Sequence, residues 1–182
     1  MLARRTLLKT AMGAATTGLT VAAPLSWALA GLPVRRLAFD NLHTGEKLDI
    51  AYWEKGAYSA EALAAVNHVL RDFRTGDEFP IAPNLLDLLV ALSARTELAP
   101  RYAVISGYRS PATNAMLHAR SEQVASGSLH TKGMAIDMRL ADLDLDRLRD
   151  AAQSLSLGGV GYYPVSDFVH VDVGRVRHWD GA

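Results

Sequence analysis

Three short segments in the second half of the chain combine residue types that bind metals or take part in hydrolysis. The first is centred on Arg109, the second covers positions 128–137, and the third covers positions 167–172. The chain contains no cysteine, so a metal site would have to use histidine, aspartate or glutamate. These segments are therefore the starting point for any catalytic or metal-binding function.

Alternation of side chains along a strand would bring the metal-binding residues together. If the third segment is a strand, His170 and Asp172 share one face, and the other face, formed by Val169, Val171 and Val173, suits the core. A strand over 134–138 likewise turns Asp137 away from its apolar face, towards the outside. If the two strands are neighbours, Asp137 and His170 converge, and His130 in the preceding loop completes a set of three.

Two histidines and one aspartate form a ligand set that zinc accepts. Three protein ligands leave a fourth position for water, which then ionises near neutral pH and becomes a nucleophile. The same spacing also fits a surface histidine, a capping histidine and structural carboxylates. From the residues alone, both interpretations stay open.

The elements that must position these residues mix helices and strands. The 182 residues favour one domain. Strands are predicted at 37–39, 48–53, 102–106, 134–138, 160–163 and 168–173. Helices are predicted to begin after capping residues or at prolines, namely Ser59, Pro83, Ser110 and Asp144. Because helices and strands do not alternate regularly, we predict an α+β fold, with a small, mainly antiparallel sheet carrying the site and helices packed on it.

Residues 1–30 have the composition of an export signal. The pair Arg4-Arg5 is followed by a mildly apolar stretch over 11–25 and by a small–x–small pattern over 28–30. The apolar stretch is short and rich in glycine and threonine, unlike a membrane span. We therefore predict a twin-arginine signal peptide over 1–30, cleaved to leave a periplasmic domain over 31–182 with no membrane span. An uncleaved N-terminal anchor is the alternative.

The charge distribution agrees with this division. The chain has 19 basic and 19 acidic residues, and residues 1–30 contain three of the basic and none of the acidic ones. The predicted mature domain therefore has a net charge of about −3 with histidine neutral. A mildly acidic surface argues against nucleic acid as a partner.

The same segments resemble the zinc D-Ala-D-Ala peptidases, a group that includes VanX-type dipeptidases and phage endolysin peptidases. The resemblance begins with the pattern Ser128-x-His130-x-x-Gly133-x-Ala135-x-Asp137, followed by a late His170. Within the group, the chain looks most similar to the MepK (YcbK)-type murein endopeptidases. The similar segments span nearly the whole predicted mature domain, at 41–46, 105–110, 130–133, 158–164 and 177–179.

The resemblance implies one zinc ion per chain, held by His130, Asp137 and His170. In relatives with a Glu-x-x-His motif, the glutamate three residues before the last ligand is the general base, and Asp167 holds that place here. Asp172 is the alternative, either as the base or as a group that orients a ligand. We favour Asp167 as the base.

Arg109 resembles an arginine that lies near the scissile carbonyl in the family. A guanidinium there would stabilise the oxyanion that develops during hydrolysis. The alternatives for Arg109 are a salt bridge or a contact with a substrate carboxylate. Tyr162 and Tyr163 follow a glycine-rich turn and are candidates for the cleft, although core packing explains one of them equally well.

The function implied by the resemblance is that of a zinc endopeptidase that cuts stem-peptide cross-links of peptidoglycan, at bonds to meso-diaminopimelate. A D,D-carboxypeptidase acting on D-Ala-D-Ala termini is a close alternative. A zinc-containing peptidoglycan-binding module without hydrolysis is the alternative from another class. The expected partners are peptidoglycan stem peptides and, for the precursor, the twin-arginine export machinery.

Overall fold

The structure is a computed structural model that describes Leu29, residues 31–121 and residues 124–181. The signal peptide predicted over 1–30 lies outside the described residues, except for Leu29. Within the described ranges, no helix is long and apolar enough to cross a membrane.

One mixed sheet of eight strands forms the frame of the described residues. The strands are β1 (Val34–Asn41), β2 (Lys47–Glu54), β3 (Ala57–Tyr58), β4 (Arg101–Ser106), β5 (Ala135–Leu140), β6 (Gly159–Tyr163), β7 (Phe168–Asp172) and β8 (Arg177–Asp180). Their order across the sheet is β3-β2-β1-β4-β5-β7-β6-β8. Neighbours are antiparallel except for the parallel pairs β1–β4 and β6–β8. The α+β class is confirmed, but the sheet is larger than predicted, because neither β3 nor β8 was expected.

Four helices accompany the sheet: α1 (Ala60–Val69), α2 (Pro83–Thr96), α3 (Pro111–His118) and α4 (Leu145–Leu155). Their starts agree with the predicted signals. The Ser59 and Ser110 hydroxyls accept hydrogen bonds from backbone N–H groups in the first turns of α1 and α3. Asp144 precedes α4 but makes no side-chain cap bond. A short 3₁₀ helix over Leu129–Lys132 was not predicted.

Helix α2 anchors the sheet through both its apolar and its polar residues. All nine residues from Leu85 to Ser93 are buried. Among them, the Asp87 carboxylate accepts hydrogen bonds from Arg35 at 2.9 Å, from Tyr52 at 2.8 Å and from Tyr58 at 2.8 Å. Because these three residues lie on β1, β2 and β3, one buried carboxylate joins that side of the sheet to the helix.

The central strands β5 and β7 are covered on both faces. Every residue from Ala135 to Met138 is buried, and so is every residue from Val169 to Asp172. The expectation that Asp137 faces outwards is therefore wrong, because its face is covered by Arg109 and the two histidines. A buried carboxylate needs partners, so this face must be a polar site and not a solvated surface.

Gly133 holds the connection between the 3₁₀ helix and β5 against the chain that precedes α2. Its φ is 63°, and a Cβ atom there would lie 2.2 Å from the Pro80 carbonyl oxygen. The Ala82 N–H also donates to the Gly133 carbonyl oxygen at 2.9 Å. No side chain larger than hydrogen fits this approach without moving the backbone.

We expect Gly133→Ala to destabilise the fold by about 1–2 kcal/mol for the left-handed backbone and by roughly 1–3 kcal/mol more for the collision. Gly45→Ala is the matched control, since Gly45 also has a positive φ, 74°, but nothing lies within 4 Å of its added Cβ. Urea unfolding of both variants measures the difference. Equal losses of stability would show that the contact with Pro80 is not a constraint.

Candidate metal centre

Three buried side chains from two strands and one turn point their ligand atoms at a common centre. The antiparallel register of β5 and β7 places Asp137 directly opposite His170. The His170 Nδ1 atom lies 2.8 Å from Asp137 Oδ1, and the His130 Nε2 atom lies 3.1 Å from both. Within the described residues, this is the one group of three or more histidines and acids placed to share a metal ion.

Hydrogen bonds on the outer side of each imidazole determine which nitrogen faces the centre without a proton. His130 Nδ1 lies 2.7 Å from the Gly107 carbonyl oxygen, which can only accept, so Nδ1 carries the proton. His170 Nε2 lies 3.1 Å from Asp172 Oδ2 and donates to that carboxylate. In these tautomers, two nitrogen lone pairs and a carboxylate oxygen face one another, an arrangement that a cation stabilises.

The distances within the cluster fit a tetrahedral zinc site. Zinc bonds of about 2.0–2.1 Å to nitrogen and oxygen put tetrahedral ligand atoms roughly 3.3 Å apart. The three distances of 2.8, 3.1 and 3.1 Å are slightly shorter than that separation. Metal binding would therefore require only a small expansion of the site. Two imidazoles and one carboxylate also leave room for a fourth ligand, as catalytic zinc sites do.

The electrostatics of the cluster act differently on its three members. Burial lowers the pKa of His130, which keeps its ring neutral. Burial alone would raise the pKa of Asp137, but its interactions with His130 and then with His170 bring it well below its ordinary value. The carboxylate is thus ionised at neutral pH, as a metal ligand must be. Burial would lower the pKa of His170, but its hydrogen bonds with Asp137 and Asp172 raise that pKa above its ordinary value, so a metal must displace a proton from this ring.

Asp172 holds His170 from behind and is itself fully enclosed. It is 0% exposed, and Arg177 donates to both of its oxygens, at 3.1 Å to Oδ1 and 2.6 Å to Oδ2. The backbone N–H groups of Gly159 and Gly174 also donate to Oδ1. Burial opposes ionisation, but the hydrogen bonds from His170 and Arg177 hold the pKa of Asp172 well below its ordinary value. Its carboxylate is thus an ionised acceptor that orients His170.

The backbone around Arg109 is held on three sides. The Tyr108 N–H donates to the Leu70 carbonyl oxygen, the Arg109 N–H to the His130 carbonyl oxygen, and the Ser110 N–H to Asp72 Oδ2. Asp72 is buried, and although burial opposes its ionisation, its hydrogen bonds to Thr113 and Ser110 lower its pKa to about 2. The carboxylate of Asp72 therefore fixes the segment that carries Arg109.

The Arg109 guanidinium reaches the metal cluster with spare donor capacity. Its NH2 group lies 3.4 Å from Asp137 Oδ2, and Nε, although buried, has no hydrogen-bond partner within the described residues. Burial lowers the pKa of Arg109, and the nearby Asp137 opposes that shift. The NH1 and NH2 groups make only long contacts with neighbouring side chains, of 3.4–3.5 Å, and Arg109 lines the cavity, so they can donate to a negative group that enters the site.

A cavity of about 380 Å³ opens over the cluster, with Arg109, His130, Asp137 and His170 in its wall. Its volume is within the usual range for ligand sites. Three aromatic side chains line it: Tyr163, Phe168 and Trp179. Tyr162 lies on the opposite face of β6, against the core and under the Arg149 guanidinium. Of the two candidate tyrosines, Tyr163 is therefore the one in the cleft.

The structure places Asp167 at the edge of this site. Asp167 occupies the turn between β6 and β7 with a φ of 55°, and its side chain is 59% exposed. Its Oδ2 atom forms an ion pair with Arg139 at 3.0 Å. Its chain neighbours Ser166 and Phe168 line the cavity, but Asp167 does not.

Two site residues were not singled out as candidates by the sequence analysis. Arg177 and Trp179 lie on β8, where alternation turns both towards the cavity. Trp179 packs against His170 with ring centroids 5.2 Å apart, and the Arg177 guanidinium lies 4.9 Å from the Trp179 ring. The sequence signal that could have identified them is the spacing Arg177-x-Trp179, because residues two apart in a strand lie on the same face.

Comparisons with protein families and with individual known proteins identify the same family. Residues 30–179 match the family described as peptidoglycan L,D-endopeptidase MepK. The chain is 42% identical over 177 residues to the peptidoglycan L,D-endopeptidase MepK of Escherichia coli strain K12, covering 97% of this chain and 96% of that protein. It is 39% identical over 175 residues to the probable peptidoglycan L,D-endopeptidase MepK of Haemophilus influenzae, covering 94% and 93%. No solved structure matches the chain significantly.

Proposed function

The chain belongs to the peptidoglycan L,D-endopeptidase MepK family, and from that membership we propose that it is a zinc endopeptidase that cuts stem-peptide cross-links of peptidoglycan. The bonds proposed are those to meso-diaminopimelate, with the diaminopimelate–diaminopimelate link as the first to test. The observation that carries the zinc assignment is the buried set of three facing ligand atoms on His130, Asp137 and His170, in the wall of a cavity of about 380 Å³.

The proposed metal ion and the residues around the cluster have different roles in hydrolysis. When bound by the two histidines and Asp137, zinc supplies a Lewis acid and promotes the ionisation of water near neutral pH. We assign to Arg109 the stabilisation of negative charge that develops on the scissile carbonyl oxygen. Its position in the cavity wall beside Asp137, with only long contacts of 3.4–3.5 Å at NH1 and NH2, supports this assignment. Asp172 fixes the orientation of His170.

We expect the exported domain to cleave a purified muropeptide dimer joined by a diaminopimelate–diaminopimelate bond, and a chelator to abolish the cleavage until zinc is restored. Chromatography of the products decides the outcome. Release of D-alanine from pentapeptide monomers, without dimer cleavage, would instead indicate a D,D-carboxypeptidase. Binding to sacculi without any product would indicate a non-catalytic module.

Variants of single histidines provide the control for the metal. His130→Ala and His170→Ala should each lose bound zinc, because each removes one of three protein ligands. His178→Ala should keep one zinc per chain, since His178 is an exposed residue of β8. Full zinc occupancy in the first two variants, measured by elemental analysis, would refute the ligand assignment.

We propose that Asp167, and not Asp172, is the general base. Both oxygens of Asp172 are occupied by charged or backbone donors, so protonating it would break its bonds to Arg177 and His170. The carboxylate of Asp167 is accessible, and the residues on either side of it line the cavity. To act on the substrate, Asp167 must exchange its ion pair with Arg139 for a position in the cleft.

Asp167→Asn is expected to keep zinc and fold but to lose roughly 10²–10⁴-fold in kcat, the usual contribution of a general base. Asp172→Asn should instead weaken metal binding by about 10–100-fold, because it replaces the charged acceptor of the His170 proton by a neutral amide and removes the ion pair with Arg177. Kinetics on the dimer, with zinc content measured in parallel, separates the two roles. Near-normal kcat in Asp167→Asn would remove it from the mechanism.

We also propose that residues 1–30 direct export to the periplasm by the twin-arginine route. The proposal rests on Arg4-Arg5, on the apolar stretch that follows and on the small residues at 28 and 30. Replacing both arginines by lysine should leave an uncleaved precursor in the cytoplasm. Fractionation and N-terminal sequencing measure this, and unchanged export of the variant would contradict the twin-arginine assignment.

A further inference from the structure

Tyr163 is a cavity residue whose polar group has no role in the proposed metal site. It is the last residue of β6 and pairs with Phe168 of β7. Gly161, two residues earlier, pairs with His170, so the Tyr163 side chain lies on the sheet face that carries the metal cluster. Tyr163 and Arg109 line the same cavity.

The Tyr163 ring is held between neighbours on two sides. It stacks on Phe168 with ring centroids 4.4 Å apart and an interplanar angle of 18°. On another side it meets the backbone at Gly181, where an added Cβ would lie 2.1 Å from Tyr163 Cε1. The ring therefore has little freedom to move, and its hydroxyl has a defined position.

A hydrogen bond from Trp179 determines how the Tyr163 hydroxyl can act. The Trp179 Nε1 atom lies 2.9 Å from Tyr163 Oη. An indole N–H can only donate, so Oη accepts this bond and its own proton must point elsewhere. No group within the described residues accepts that proton, and the side chain borders the cavity. The hydroxyl thus offers a donor to whatever the cavity holds.

Trp179 reaches Oη because β6 lacks a side chain at Gly161. A Cβ atom at Gly161 would lie 2.6 Å from the Trp179 ring. The glycine lets the indole lie across the strand, between His170 and Tyr163. Gly161 and Trp179 thus act as positioning residues for the hydroxyl.

We propose that Tyr163 is a further catalytic residue, whose hydroxyl donates a hydrogen bond to the scissile carbonyl oxygen as that oxygen becomes negative. It acts beside Arg109, as a neutral second donor from another wall of the cavity. A donor already held in place stabilises the transition state without reorganisation. This inference rests on the proposed endopeptidase function.

The test is Tyr163→Phe, which removes one oxygen and keeps the ring. On the diaminopimelate–diaminopimelate dimer, kcat should fall by roughly 10²-fold, while KM stays within about twofold, because the bond forms in the transition state. Zinc content and melting temperature are measured on the same samples, and kcat is expressed per zinc-loaded molecule. Tyr162→Phe is the matched control and should leave kcat unchanged, since Tyr162 lies on the opposite face of β6.

A double-mutant cycle with Trp179→Phe tests the positioning step, because this change removes the Nε1–H donor and keeps an aromatic ring. The Trp179 replacement should reduce kcat less in the Tyr163→Phe background than in the wild type. Additive losses, an unchanged kcat in Tyr163→Phe, or a loss confined to KM would each overturn the inference. Failure of the wild type to cleave the dimer would contradict the proposed function itself, so the two failures are distinguishable.

Discussion

Mutual repulsion between three acceptors is the constraint on which the site depends. When both rings are neutral, as metal ligands must be, the outer hydrogen bonds leave two imidazole lone pairs and one carboxylate oxygen 2.8–3.1 Å apart inside the protein, with no proton between them. Such an arrangement is stable only if the surrounding structure holds it and a cation compensates it. The Gly107 carbonyl oxygen holds the His130 ring in place and the Asp172 carboxylate holds the His170 ring, each by accepting the outer proton of that histidine. Asp172 is in turn neutralised by Arg177, so the constraint extends from β5 to the edge strand β8.

Much of this site follows from the sequence because strand periodicity is strict. Alternation along β7 places His170 and Asp172 on one face, and their contact at 3.1 Å agrees with that prediction. The neighbouring positions of β5 and β7 could be stated only as a condition, since strand order depends on long-range pairing. The burial of Asp137 was missed because two of the side chains that cover it, Arg109 and His170, are 28 and 33 residues away in the sequence.

The parts that were not predicted share a physical cause. Strand β3 has two residues, too few to show an alternation, and β8 has four, the shortest run in which an alternation indicates a strand. Trp179 reaches the site because Gly161 has no side chain and leaves space for the indole. A glycine in one strand does not indicate, from the sequence alone, which side chain of a neighbouring strand occupies that space. Asp167 is at the predicted place in the chain, yet its left-handed turn and its ion pair with Arg139 direct its carboxylate to the cleft's edge. Sequence spacing determines how far Asp167 is from His170 along the chain, whereas the direction of its side chain depends on the conformation of the turn.

The antiparallel pairing of Asp137 with His170 would also make the proposed zinc ion a reporter of folding accuracy. A one-residue slip of β7 against β5 would turn His170 to the other face of the sheet and bury a valine in its place. The slipped form would keep most backbone hydrogen bonds but would have only two of the three ligands. A metal that binds the native arrangement and not the slipped one adds its binding free energy to the native state alone. The zinc content of a preparation would then measure the fraction of molecules with the correct strand register, a property that secondary-structure content does not report.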